Sequence, residues 1–210
     1  MKKIFFAALM LLMASGAFAQ IRVGVKAGGN LSTITKFCNS GNKDWLDKAK
    51  MKFGFHAGAF LDFVFNERLS LQPELLYSAQ GTDFTAHYSG ELHSGCISLG
   101  YINVPVLLKI NIAEGLSAEI GPQIGFLVSA MDKQFNEGVE TYSCDMKKEK
   151  VCKDIDVTAV AGLSYTFADN FVVSARYGLG LTKIWTKDDY DPSWNECKNS
   201  VIQLSIGYKF

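Results

Sequence analysis

Apolar and polar residues alternate with a period of two along most of the chain, as in strands whose two faces meet different surroundings. In residues 171–181 one parity reads Phe171, Val173, Ala175, Tyr177, Leu179 and Leu181, against Val172, Ser174, Arg176, Gly178 and Gly180. Residues 202–210 repeat it, with Ile202, Leu204, Ile206, Tyr208 and Phe210 opposing Gln203, Ser205, Gly207 and Lys209. The same template fits 21–29, 53–64, 69–78, 102–111, 116–126 and 157–167, which makes eight predicted strands. A helix would not keep this period.

The connections between these strands alternate in length. Asn66-Glu67-Arg68, Ala113-Glu114-Gly115 and Ala168-Asp169-Asn170 read as tight turns, whereas 31–51, 82–97, 131–153 and 186–199 read as long polar loops. Short turns at one end and long loops at the other predict an eight-stranded, antiparallel, up-and-down transmembrane β-barrel with periplasmic termini. A soluble barrel of lipocalin type gives no reason for that separation. The polar parity also collects glycine and charge, which suits a narrow lumen filled by side chains. Aromatic residues gather at strand ends on the apolar parity: Phe63, Phe167, Phe171, Tyr208 and Phe210 near the turns, Phe53, Phe55 and Tyr77 toward the loops. These predict two interfacial girdles. Pro73, Pro105 and Pro122 fall inside three consecutive strands, where a residue without a donor predicts local bulges.

The first residues have the form of an export signal. Lys2 and Lys3 precede an apolar run over 4–14, and Ala17-Phe18-Ala19 offers the small-x-small cleavage pattern. The expected organisation is a signal peptide at 1–19, cleaved after Ala19, and a mature barrel domain at 20–210. Lys plus Arg and Asp plus Glu each number 21, so no charge excess points to nucleic acid. Past the signal no apolar run is long enough for a membrane helix. Export permits disulfides among Cys38, Cys96, Cys144, Cys152 and Cys197, and their pairing is open. The shortest loop to close within one connection is Cys144–Cys152, which makes that bridge the first expectation.

The segments "LSLQPELLYSAQG" (69–81), "YINVPVLLKINI" (101–112) and "SAEIGPQIGFLVS" (117–129) resemble the PorT-type outer-membrane β-barrel family, also labelled porin-family proteins. The opening "VGVKAGGNLST" (23–33) and the closing "IQLSIGYKF" (202–210) resemble it too. The resemblance spans the mature chain. It implies an eight-stranded barrel similar to the OmpA and OmpX barrels in the outer membrane of a Gram-negative cell. It also implies that the terminal Phe210 is read by the barrel-assembly machinery, and it carries over no catalytic residue.

The inner parity holds Arg22, Lys26, His56, Asp62, Glu74, Lys109, Glu119, Asp156, Arg176 and Lys209. A polar channel and a relay cluster are two readings of this set. Eight strands leave room for little beyond side chains, so a paired, space-filling network is the expected one. His87, His93 and Cys96 match no metal-site spacing, and Ser94 beside His93 does not define a nucleophile–base pair. Trp45, Tyr142, Trp185, Tyr190 and Trp194 lie in or beside loops; Trp185 reads as a girdle residue, Trp45 and Trp194 as binding candidates. No catalytic, cofactor or metal residue is assigned. The expected function is non-enzymatic: a structural or interaction protein in outer-membrane lipid, meeting a protein partner through its loops. The alternatives are a small-solute pore, a secretion-apparatus subunit and a lipid hydrolase dependent on His87 or His93.

Overall fold

The computed structural model describes residues 20–35, 46–88, 91–136, 139–168, 170–186 and 197–210. They form β1 (Gln20–Thr35), β2 (Leu46–Val64), β3 (Leu69–Tyr88), β4 (Glu91–Ala113), β5 (Leu116–Asn136), β6 (Val139–Asp145), β7 (Ile155–Phe167), β8 (Phe171–Gly180) and β9 (Lys198–Lys209). Every pairing is antiparallel. The order β4-β3-β2-β1-β9-β8-β7-β5, closed by β4 against β5, is a ring of eight. β6 is a ninth strand outside the ring, paired only with the upper part of β5.

The three turns fall where the alternation breaks. At the β2–β3 turn the Asn66 side chain accepts from the amides of Arg68 and Leu69, both at 2.9 Å, which fixes the reversal locally. Gly115 takes φ +74° in the β4–β5 turn, a conformation open to it because it has no Cβ.

The alternation sorts the faces as expected. In β8 every residue from Phe171 onward is by turns exposed and buried. Most of the exposed large apolar side chains belong to the outward parity of the eight ring strands, from Ile21 and Val23 round to Leu204 and Ile206. Such a continuous apolar belt belongs in hydrocarbon. Near the turns Phe171 lies 5.6 Å from Phe167 and 5.1 Å from Tyr208, which meets Phe210 at 5.3 Å. Toward the loops Phe55 packs on Tyr77 at 5.8 Å. Both girdles are present.

Two expectations are corrected. First, the described residues of the connections at 31–51, 82–97 and 131–153 are largely strand. β8 has 10 residues, a single membrane crossing, but β3, β4 and β5 have 20, 23 and 21 and continue as a raised sheet with the upper part of β2 and with β6. Second, no bulge forms at the prolines. The pairs Phe60↔Glu74 and Phe63↔Leu71 keep one register across Pro73. So do Pro73↔Val106 and Leu76↔Asn103 across Pro105, and Pro105↔Gln123 and Leu108↔Ile120 across Pro122. Each proline turns its missing donor toward one neighbour only, so that ladder skips two pairs while the other ladder runs on. The register shifts in β4–β5 lie elsewhere, one of them where Tyr101↔Leu127 follows Gly100↔Ser129 and leaves Val128 as the extra residue.

That shift marks a change of phase. Below it β4 turns Ile102, Val104, Val106 and Leu108 outward; above it the large apolar residues Ile97, Leu99 and Tyr101 are buried, with Ser98 and Gly100 on the opposite parity. Where a strand leaves lipid for water, its hydrocarbon belongs inside.

Candidate functional site

The space that a closed ring of strands encloses is its first candidate site, and the sequence fills it in three layers. At mid-height three cations share two carboxylates. Arg176 on β8 forks across Glu74 of β3, Nη1 to Oε2 at 2.8 Å and Nη2 to Oε1 at 2.9 Å, while its Nε donates to Glu119 of β5 at 2.6 Å. Lys26 of β1 donates to both Glu74 oxygens at 3.3 Å. Lys109 of β4 lies 3.5 Å from Glu119 and donates to Gln72 at 3.1 Å, and Gln72 in turn donates to Glu74. Bidentate, charge-assisted contacts of this kind are the strong ones, and all five ionic side chains are buried.

Glycines on the inner parity make the room. A Cβ on Gly24 would stand 2.3 Å from the Phe60 ring that packs inside the wall, and one on Gly162 would stand 2.7 Å from Cγ of Arg176. What remains beside Lys26, Phe60, Gln72, Glu119 and Arg176 is a void of about 10 Å³, at the lower limit for one water. Toward the turns a second pair, Lys209 Nζ to Asp62 Oδ2 at 3.1 Å, borders an open bowl of about 720 Å³.

Above the ionic layer lies a polar one with no cation in it among the described residues. His56 Nδ1 meets Asn30 Oδ1 at 2.7 Å; an amide oxygen only accepts, so Nδ1 carries the proton. Asn30 Nδ2 donates to Ser78 Oγ at 3.0 Å and to the carbonyls of Phe55 and Ala79. Asp156 accepts from Thr182 at 2.6 Å and from Asn199 at 3.1 Å, and Asn199 also donates to Tyr101 at 3.2 Å.

The loop-side mouth is closed by hydrocarbon. Ile34, Ile97, Leu99, Tyr101, Leu127, Ala130, Met146, Cys152, Ile184, Trp185 and Cys197 form one buried cluster, with Phe84 and Val151 packed against it. Two short backbone pairings hold it shut: Cys152 bridges Trp185, and the amides of Lys153 and Ile184 donate to the carbonyls of Ile184 and Cys197 at 2.7 and 3.1 Å. Burial pushes the Cys152 thiol up to about 12.

Of the ten inner ionisable residues, Lys26, Glu74, Lys109, Glu119 and Arg176 come together, and Asp62 pairs with Lys209. Arg22 does not join: although opposite Asp62 in register, it is half-buried and donates to Gln20 at 3.3 Å. Asp156 is held by neutral donors instead of a cation. Trp185 is corrected from girdle to cap, because residues 182–186 fold over the mouth instead of rising along the lipid face. Cys144 and Cys152 are free thiols and not bridged: Cys144 lies in β6 across from Asp132, and the turn that follows carries Cys152 down into the cap. Cys96, in β4, is free as well. Tyr142 lies exposed in β6. Trp45, Tyr190, Trp194, Cys38, residues 1–19 and the side chains of His87 and His93 lie outside the described residues. Among the described residues no three His, Cys, Asp or Glu side chains are grouped as metal ligands.

A family described as "Outer membrane protein beta-barrel domain" matches residues 18–185. No curated protein matches the chain. Among solved structures, the Yersinia pestis attachment invasion locus protein, crystallised with the heparin analogue sucrose octasulfate, is similar at 22% identity and a TM-score of 0.47, over 91% of this chain and 99% of that one. Neisserial surface protein A is similar at 12% identity and 0.44, over 91% and 99%. The N-terminal barrel of Pseudomonas aeruginosa OprF is similar at 13% identity and 0.42, over 91% and 99%.

Proposed function

The chain belongs to the outer membrane protein beta-barrel domain family and resides in the cell outer membrane, and from that premise we propose that it is a closed, non-enzymatic anchor that presents its raised sheet to an extracellular protein partner. The observation that carries this reading is the division of labour along the barrel axis. The lumen is filled by paired charge and sealed by a cap, while β3, β4 and β5 continue about ten residues past a single crossing. A pore would need an open interior, and eight strands give one just filled by side chains. Sheet edges and exposed side chains such as Val139 and Tyr142 are the kinds of surface that partner proteins engage.

The reading includes periplasmic turns and termini, membership of the PorT-type family, assembly by the barrel-assembly machinery and removal of 1–19 to leave Gln20. The proline-bearing segments support that family, and Ala17-Phe18-Ala19 supports the cleavage site. Mass spectrometry of membrane-extracted protein should find Gln20 at the N-terminus; an intact Met1 would refute export by cleavage. For the anchor itself, the test is cross-linking in intact cells with wild-type chain and with a variant shortened by removing the hairpin tip at 84–95. Both should insert, and only the wild type should cross-link to its partner. Equal capture by both would refute the raised sheet as the docking element.

A further inference from the structure

On the short side of the ring the turn after β6 forms a basic knuckle at the level where the apolar belt ends. Its shape is fixed by the chain itself. Met146 is anchored in the cap and its amide donates to the Ala130 carbonyl at 3.0 Å. The Asp145 carboxylate accepts the amides of Lys147 and Lys148, both at 3.2 Å, and the Lys148 amide holds that carboxyl below its ordinary range. The Lys147 ammonium is tied to the Leu127 carbonyl. Lys150 takes φ 53°, and the Val151 amide closes the turn on the Met146 carbonyl at 3.0 Å. Lys153 is then brought beside the segment of Lys183 by its bond to the Ile184 carbonyl at 2.7 Å.

Among the described residues, five lysines, 147, 148, 150, 153 and 183, thus meet three acids, Asp145, Glu149 and Asp154, leaving an excess of positive charge among them. Lys148 is paired with Asp145; Lys150, Lys153 and Lys183 are exposed, with no carboxylate partner among the described residues. Immediately below them Phe126, Val128, Ile155 and Leu181 point outward from the wall. An acyl chain lying along those four side chains carries its own head group to the height of the lysines. We propose that this knuckle binds the phosphate groups of a phosphorylated glycolipid of the outer leaflet. Ammonium groups at a membrane surface attract anionic lipid, and a backbone already fixed loses little entropy on binding it.

The test uses the full chain reconstituted in phosphatidylcholine vesicles, alone or with diphosphorylated lipid A. The melting temperature should rise by several degrees with lipid A. A Lys150→Gln/Lys153→Gln/Lys183→Gln variant should lose most of that rise, while Lys50→Gln, an exposed lysine on the upper part of β2, should keep it. A heat-modifiable folded band from each variant shows that the barrel has assembled. The proposal is overturned if the triple variant keeps the rise or if dephosphorylated lipid A produces it equally. Reproduction of the rise by free phosphate or by heparin, added to phosphatidylcholine vesicles, also overturns it.

Discussion

Lys26, Glu74, Lys109, Glu119 and Arg176 close the barrel at mid-height with charge, whereas Ile97, Leu99, Tyr101, Met146 and Trp185 close its mouth with hydrocarbon. The difference follows from what lies outside the wall at each height. Where the outward face meets lipid, polar residues of an alternating strand can point only inward, and once inside a narrow ring they must pair. Where the outward face meets water, apolar residues turn inward and pack as in a soluble core. The two closures should also fail differently. Removing one ionic partner strands another buried charge, while removing a cap side chain leaves a cavity that neighbours partly fill.

That contrast can be broken by substitution. Glu74 receives Lys26, Gln72 and both Nη atoms of Arg176, so Glu74→Ala should have the largest effect, a loss of roughly 3–5 kcal/mol in urea unfolding. Arg176→Ala should be comparable, because it exposes Glu74 and Glu119 to each other without their shared cation. Trp185→Ala should cost about 3 kcal/mol at the cap, read as faster proteolysis on the loop side with little change in barrel melting. A smaller effect concerns thiols. At pH 8 maleimide should label Cys96 and Cys144 in the folded protein and leave Cys152, whose thiol burial holds protonated, until Trp185→Ala opens the cap. Peptide mapping without reductant should find no Cys144–Cys152 bridge. Least affected should be Leu204→Ile on the lipid face, a change under about 1 kcal/mol. A Leu204→Ile loss equal to that of Glu74→Ala would erase the distinction between wall and lumen.

The ring was legible because lipid imposes one rule on every crossing. Phe171 to Leu181 and Ile202 to Phe210 state that rule in a single phase, and the charged residues opposite them are those found paired. Above the membrane the rule changes sign. Ile97, Leu99 and Tyr101 alternate as clearly as the lower strand does, but on the opposite parity, so a reading that seeks one phase begins β4 too late and takes 82–97 for a loop. A search for strands that invert their phase would have found it. Trp185 was misplaced for a related reason: aromatic residues at a strand end suit a girdle or a cap equally, and only the chain's course after Gly180 separates them. The failure of Arg22 to join the network is a matter of reach and partner choice, which parity does not encode. The prolines were misjudged because a missing donor was equated with an extra residue, whereas two skipped pairs suffice.

Closure of the lumen is the claim on which both halves of the comparison depend, and planar-bilayer recording of the reconstituted wild-type chain measures it directly. The void of about 10 Å³ in the ionic layer and the buried cluster at the mouth predict a silent membrane, with no sustained current steps over the applied voltage range. Steady, nanosiemens-scale openings from the wild-type protein would contradict it.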